Sequence, residues 1–206
     1  QVFWVEKGCM RSIEDDSVKE KSFAFRAGAL AAFLLAFSSI AASLIYLTGN
    51  LRSYLGPLGY SLADFLYGPV WATSLVTMVT SLRERLDSQA PRRMNFALMI
   101  SILTGALMVL TACIRSANRL YHLAHPELAL ENNQSVLAVW AALVAGVSGA
   151  GWHFLGWMQL LLGSAGWSSQ RLPRALCVFL LITGSISLFV YAIPVLEGFA
   201  NAFAVI

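Results

Sequence analysis

The stretch that decides the fold reads FRAGALAAFLLAFSSIAASLIYLT, residues 25–48, and contains a single charged residue, Arg26. An α-helix rises about 1.5 Å per residue, so roughly 20 apolar residues are needed to cross a hydrocarbon core about 30 Å thick. A backbone in lipid must also satisfy its own hydrogen bonds, which a helix does without a partner strand. The stretch therefore predicts a transmembrane helix.

Four more apolar runs follow along the 206-residue chain, at residues 59–82, 94–121, 135–163 and 173–204. The chain is 58% hydrophobic and 12% charged, and it lacks the ten-residue alternation of an outer-membrane barrel. We predict an all-α polytopic membrane protein in which residues 25–206 form a bundle of five transmembrane helices. Residues 1–24 are then a cytoplasmic segment, either a short surface helix or a disordered leader.

Basic residues lie unevenly between the runs. Eleven precede the first run or link the second to the third and the fourth to the fifth, whereas Arg52, Arg115 and Arg119 lie on the opposite side. Because cytoplasmic loops carry the excess of cations, we expect the N-terminus inside and the C-terminus outside. The net charge of +3 then reflects contact with membrane lipids rather than a nucleic-acid partner. A bacterial plasma membrane or an organellar inner membrane is the expected location.

Small residues recur at helical spacing in two of the runs. Gly28, Ala32 and Ala36 follow one another every four residues in the first. In the fourth run two adjacent rows do the same, namely Ala142, Gly146 and Ala150, and Ala141, Ala145 and Gly149. In lipid, helices associate through such close backbone approach. We predict that the first and fourth spans make the tightest contact, either within the chain or with another subunit.

A serine stands between glycines in the sequence Gly146-Val147-Ser148-Gly149. This tetrapeptide resembles the G-x-S-G nucleophile motif of rhomboid intramembrane proteases, which implies Ser148 as a nucleophile and a histidine on a later span as its base. The fifth run contains no histidine. His153 follows Ser148 by five residues and would point about 140° away from it on a helix. Because a serine hydroxyl needs such a base, the resemblance leaves the catalytic set incomplete.

His153 is the histidine best suited to hold a cofactor. A neutral imidazole in a membrane helix can ligate haem iron or the magnesium of a chlorophyll-type pigment, and Gly149, Gly151 and Gly156 would leave room for a flat macrocycle. Counting from the outer end of the fourth run places His153 about 27 Å along the helix, near the inner interface. There it fits an aromatic belt with neighbouring tryptophans, which we favour over a ligand role. The sequence requires no cofactor.

Ionisable residues inside the runs collect near the outer end. Asp64 lies near the start of the second run, and Arg115 and Arg119 close the third. Since charges near a bilayer are costly unless they are paired, we expect Asp64 to pair with Arg115 or Arg119. No ionisable pair stands at mid-depth on two runs, which argues against an ion-coupled pump or transporter.

Metal ligands and helix-breaking residues give weaker signals. The outer link holds His122, His125 and Glu127, too few ligands for a zinc site, and the three cysteines show no C-x-x-C spacing. We predict no metal centre. Pro69 and Pro194 lie inside the second and fifth runs, where each removes a backbone donor and can bend its helix.

Three classes of function remain. The leading one is a non-catalytic subunit that packs with other integral membrane subunits in a larger assembly, for example a respiratory or photosynthetic complex, since little mass lies outside the membrane. The second is a carrier of small solutes or lipids, suggested by the prolines in two spans. The third is a pigment- or haem-binding protein that uses His153, or a serine hydrolase that uses Ser148.

Overall fold

The computed structural model describes the backbone of residues 2–52, 56–86, 90–125 and 134–189. These residues are almost entirely helical, and no strand occurs among them. The elements are α1 Val2–Arg52, α2 Pro57–Phe65, a π-helical turn Leu66–Val70, α3 Trp71–Leu86, α4 Pro91–Ala124, α5 Gln134–Ser169 and α6 Arg174–Leu188. The predicted all-α fold class is confirmed.

Four segments are long and apolar enough to cross a membrane: Phe23–Gly49, Leu58–Leu86, Pro91–Tyr121 and Ala138–Ser169. The fifth predicted span appears as the shorter apolar helix α6, Arg174–Leu188. Its expected continuation, residues 190–204, lies outside the described residues, as does Pro194. The protein is thus a multi-pass membrane protein with four long spans and a shorter apolar helix.

Two helices are longer than the apolar runs predict. α1 continues without interruption from Val2, so the polar N-terminal stretch and the first span share one helix. α5 ends at Ser169, six residues beyond the predicted end at 163. The chain leaves α5 at Gln170, whose φ of 53° is in the left-handed region, and Pro173 precedes α6. The last six residues of α5 include three serines, and each of these hydroxyls donates to a carbonyl of the preceding turn.

The spans form an open row in chain order, which we call the helix row. α1 packs on α2 and α3, α4 packs on α2, α3 and α5, and α5 packs on α6, with a smaller contact between α3 and α5. Among the described residues, the backbone of α1 contacts that of neither α4 nor α5, although the Tyr46 side chain reaches Arg115 and Arg119 on α4. The close contact expected between the first and fourth spans therefore does not form within this part of the chain, and a contact with a second chain stays a prediction.

Packing is densest in the half of the row near the arginine-rich links. Its innermost side chains, each at most 2% exposed, are Leu75, Val79, Met94, Met158 and Leu162. The link between α5 and α6 is tied to the same end, because Arg171 donates a hydrogen bond of 2.6 Å to the carbonyl of Arg85 in the last turn of α3. That contact satisfies a carbonyl which the helix end leaves without an intrahelical donor.

The second span contains a π-helical turn at Leu66–Val70, centred near Pro69. The amide of Trp71 donates to the carbonyl of Leu66, five residues earlier, which is the π pattern. Pro69 supplies no amide, and its ring would collide with a carbonyl of the preceding turn in a regular α-helix. The wider turn accommodates the ring, so the span remains one continuous helical segment with one extra residue in its path.

Candidate functional site

The most polar buried position in the span region is Asp64, on α2, whose side chain is 2% exposed. Its carboxylate accepts hydrogen bonds from the hydroxyl of Tyr46 on α1 and from Nη1 of Arg119 on α4, the latter at 2.5 Å. Ser116 Oγ lies 3.5 Å from Oδ2, and Arg115 Nη1 lies 4.0 Å from Oδ1. The structure therefore brings the three charged residues predicted from the sequence together.

Three helices meet at Asp64, since α2 carries the carboxylate, α1 supplies Tyr46, and α4 supplies its arginines and Ser116. Asp64 follows Leu58 by six residues and Arg115 precedes Tyr121 by six, so both lie about 9 Å inside their spans. At such a depth an isolated carboxylate would be strongly disfavoured, and breaking a buried ion pair costs about 3–5 kcal/mol. The cluster thus fixes how α1, α2 and α4 are oriented about their axes.

Aromatic rings enclose this cluster on its outer side. Arg119 lies over the ring of Tyr60, 4.9 Å from the centroid, and the rings of Tyr46 and Tyr60 are 5.9 Å apart. Gly49 lets the Tyr60 ring approach α1, since a Cβ at Gly49 would lie 2.5 Å from the Tyr60 hydroxyl oxygen. Sequence reasoning missed Tyr46 and Tyr60. Neither belongs to a motif. Tyr60 precedes Asp64 by one helical turn on α2, a spacing that could have found it, whereas only the packing of α1 on α2 places Tyr46 beside Asp64.

A cavity of about 60 Å³ extends from Asp64 and Arg115 into the row, between the π-helical turn, α4 and α5. Its polar lining consists of Asp64, Arg115, Tyr67, Thr111, Ser148 and Trp152. Met108 and Ala112 complete the wall. The π-helical turn shapes one side, because Gly68 lies directly against Ala112, where a Cβ would come within 2.5 Å of the Ala112 methyl carbon. The result is a polar cavity inside an apolar helix row.

Ser148 lines this cavity without the partner that nucleophilic catalysis requires. Its Oγ donates to the carbonyl of Ala145, one turn earlier on α5, at 3.2 Å. Such a bond to the helix backbone leaves the oxygen unactivated. The structure describes no hydrogen bond between Ser148 and a histidine, so the predicted serine-hydrolase chemistry has no base within the described residues.

His153 lies closer to mid-depth than the sequence indicates. Because α5 continues to Ser169, His153 is 15 residues from the start and 16 from the end of the span Ala138–Ser169, near its midpoint rather than near the inner interface. Its Nε2 accepts a hydrogen bond of 3.2 Å from the indole N–H of Trp157. The lone pair that a haem iron or a pigment magnesium would use is therefore engaged in this conformation.

The glycines expected to make room for a macrocycle beside His153 serve helix packing instead. A Cβ at Gly151 would lie 3.2 Å from the sulfur of Met108 on α4. A Cβ at Gly156 would lie 2.8 Å from the carbonyl oxygen of Gly184 on α6. Gly149 is buried as well. Neighbouring helices fill the space at Gly151 and Gly156, so the structure supplies no flat cleft there.

The small residues predicted for the first span divide between two faces of α1. Gly28 is buried against α3, where a Cβ would lie 2.5 Å from the Cβ of Ser81. Ala32 and Ala36 are exposed, so their predicted contact is not made within the described part of this chain, and one with another subunit stays a prediction. The observed seam alternates steps of three and four residues, and its members are Gly28, Ala31, Leu35, Ser38, Ala42, Ile45 and Gly49. A step of four at every position drifts off the contact line, whereas alternating steps of three and four follow it.

The small residues predicted for the fourth span are likewise only partly covered. Ala142 and Gly146 are exposed, Ala150 is half-buried and Gly149 is buried. The closest backbone approach on α5 lies further along, where Gly156 and Gly163 contact α6. That contact was missed, although glycines seven residues apart on α5 are a recognisable signal of helix packing.

No group of three potential metal ligands occurs among the described residues. The His125 ring lies 4.8 Å from that of Tyr121, while Glu127 and the His122 side chain lie outside the described part of the chain. The chain matches no family model, and no curated protein or solved structure is significantly similar to it. Function must therefore be argued from the geometry of the helix row and its polar cluster.

Proposed function

We propose that the protein is a non-catalytic integral membrane subunit that packs with other membrane-spanning chains in a larger assembly, for example a respiratory or photosynthetic one. The observation that carries this proposal is the open helix row. Each span packs mainly on its neighbours in the chain, with a smaller contact between the second and fourth spans, and every described helix has exposed side chains. The exposed faces of the row are thus available to lipids and to helices of other subunits.

The extent of exposed surface supports the same proposal. Large apolar side chains are exposed on several described helices, among them Phe37 on α1, Ile102 on α4 and Phe179 on α6. Lipid can cover such surface, but specific contact between membrane helices favours faces with small residues. Ala142 and Ala145, both exposed on α5, provide one. The exposed face of α1 is bulkier, with Phe33 and Phe37 in a stacked pair.

The proposed location is a bacterial plasma membrane or an organellar inner membrane. The proposed orientation places the arginine-rich end of the row, which includes Arg83, Arg85, Arg92 and Arg93, in the cytoplasm or its organellar equivalent. Short loops with an excess of cations favour that side. Asp64, Arg115 and Arg119 then lie toward the outer surface.

A native mass measurement on the protein purified from its own membrane in a mild detergent tests the proposal. We expect a complex heavier than one chain of 206 residues, containing the same additional membrane chains in each preparation. Replacing both exposed alanines, Ala142→Leu with Ala145→Leu, should release the single chain because the added side chains prevent close backbone approach.

Ala106→Leu with Ala117→Leu is the matched control, since the pair adds the same volume at exposed positions of α4. It should leave the complex intact. A monodisperse, correctly folded single chain from the native membrane would contradict the proposal. Dissociation by the α4 pair and not by the α5 pair would move the contact to the other helix and contradict the role of α5.

A further inference from the structure

The polar cluster around Asp64 carries more positive charge than its carboxylate balances. Two guanidinium groups, those of Arg115 and Arg119, lie within 4.0 Å of a single carboxylate. Asp64 is already engaged by Arg119 at 2.5 Å and by the Tyr46 hydroxyl. Arg115 stands further away, at 4.0 Å. Among the described residues, the cluster therefore has a net charge of +1.

That surplus charge faces a cavity rather than bulk lipid. Arg115 lines the cavity together with Asp64 and is 32% exposed. A guanidinium about 9 Å inside a span is costly unless an anion or water compensates it. Arginine also offers several N–H donors in a planar fork, a geometry that matches the two oxygens of a carboxylate or phosphate.

Hydroxyl groups line the cavity beside Arg115. Ser148 lies on α5, Tyr67 lies in the π-helical turn, and Thr111 lies one turn before Arg115 on α4 itself. The hydroxyls of Ser148 and Thr111 now donate to carbonyls of their own helices, at 3.2 and 2.9 Å. A hydroxyl can rotate to donate to another acceptor when one is present. The cavity can thus present several donors to one group.

The size of the cavity limits what it can hold. A volume of about 60 Å³ is several times the roughly 10–15 Å³ that one ordered water needs. A carboxylate or phosphate group fits such a space. Met108 and Ala112 add an apolar wall that suits a carbon chain attached to the group.

We propose that this cavity binds one oxyanion group, a carboxylate or a phosphate, which pairs with Arg115 and accepts a hydrogen bond from Ser148. Arg119 and Tyr46 engage Asp64 more closely than Arg115 does, so that one carboxylate is shared between two guanidinium groups. The oxyanion is carried either by a small soluble acid or by a lipid headgroup. The cavity begins beside Arg115, about 9 Å inside its span, and extends toward mid-depth beside Trp152.

Binding is measured on the full chain purified in a maltoside detergent, which contains neither phosphate nor carboxylate. Calorimetric titration with acetate and with inorganic phosphate tests the soluble source. Native mass measurement after addition of phosphatidylglycerol tests the headgroup source. We expect saturable binding in at least one arm, and the arm that succeeds identifies the source.

Variants test the assigned donors. Arg115→Gln should weaken binding by about tenfold to a hundredfold, since a hydrogen-bonded charge is lost. Ser148→Ala should weaken it by about two- to tenfold. Arg93→Gln is the matched control, because it removes the same charge from an exposed residue at the opposite end of the row, and it should bind as the unaltered chain does.

Absence of binding in both arms would overturn the proposal. Equal weakening by Arg115→Gln and Arg93→Gln would also overturn it, because the attraction would then be a property of total charge. If Arg115→Gln fails to fold, Ser148→Ala decides, since it removes only an oxygen from a helical position. Unchanged affinity in that variant would remove Ser148 from the site and refute the proposed geometry.

Discussion

At the scale of single residues, glycines determine how closely the helices of the row approach. Gly156 and Gly184 face each other so closely that a Cβ on either would lie 2.8 Å from the carbonyl oxygen of the other. A Cβ on Gly163 would lie 3.1 Å from the carbonyl oxygen of Cys177. Backbone atoms cannot move aside as the end of a flexible side chain can. Contact between α5 and α6 therefore depends on the absence of side chains at these positions.

We predict that Gly156→Ala lowers the free energy of unfolding by about 1–3 kcal/mol, because α5 and α6 must separate to admit the methyl group. Gly146→Ala is the matched control on the same helix, since a Cβ there meets nothing within 4 Å. It should leave stability unchanged or raise it by up to about 1 kcal/mol through helix propensity. Unfolding in mixed detergent micelles measures both variants, and equal effects would contradict the proposed packing.

At the scale of elements, the π-helical turn determines which way Asp64 points. A π-helical turn is equivalent to one extra residue in an α-helix, so it rotates the preceding segment by about 100° relative to the following one. α3 packs on α1 and α4 through one face, whereas α2 must be rotated so that Asp64 meets Tyr46 and Arg119. The π-helical turn allows both orientations within a single span.

Deleting Pro69 should be tolerated, because it removes the extra residue together with the side chain that requires the wider turn. α2 and α3 then keep their relative orientation about the helix axis, and Asp64 still contacts Arg119. Deleting Thr73, an exposed residue one turn later in α3, should rotate α2 by about 100° and lower stability by about 3–5 kcal/mol through loss of the buried ion pair.

The coupling energy between Asp64 and Arg119 provides the readout, from a cycle of Asp64→Asn, Arg119→Gln and the double variant in each deletion background. We expect coupling to survive the deletion of Pro69 and to vanish on deletion of Thr73. Loss of coupling in both backgrounds would refute the equivalence of the π-helical turn to a single insertion.

At the scale of the whole molecule, the chain alternates direction along the helix row and so separates two chemically different ends. One end carries the arginines of α3, α4 and the link before α6, and Arg171 fastens that link to α3. The other end carries the Asp64 cluster with its surrounding tyrosines. The described part of the molecule is therefore characterised by the chemical difference between its two ends, and it does not enclose a central interior.

We predict that the arginine-rich end faces the cytoplasm or its organellar equivalent. In a chain without its native cysteines, a cysteine at Ala124 should react with a membrane-impermeant thiol reagent applied to intact cells. A cysteine at Glu84 should react only after the membrane is permeabilised, because cation-rich short loops stay inside. Both positions are exposed. The reverse pattern would show the opposite orientation, and equal labelling would contradict the alternation of spans.

The sequence alone was enough to predict that the protein lies in a membrane, that it is helical, and approximately where its spans lie. An apolar run of about 20 residues forms a helix in lipid, because its backbone groups must form their hydrogen bonds with one another. The sequence also predicted an ion pair between Asp64 and Arg115 or Arg119, because an unpaired charge at that depth is costly. These inferences rest on local composition and on the energetics of a single group.

Which faces of the helices are in contact could be learned only from the packed structure. The spacing of Ala32 and Ala36 is as regular as that of the true seam, yet both are exposed, while Gly156 and Gly184 are in contact. Lipid is as apolar as the helices, so hydrophobic patterning cannot distinguish a packed face from a lipid-facing one. The roles of Tyr46 and of the cavity beside Arg115 depend on residues far apart in the chain, which become neighbours only when the helices pack.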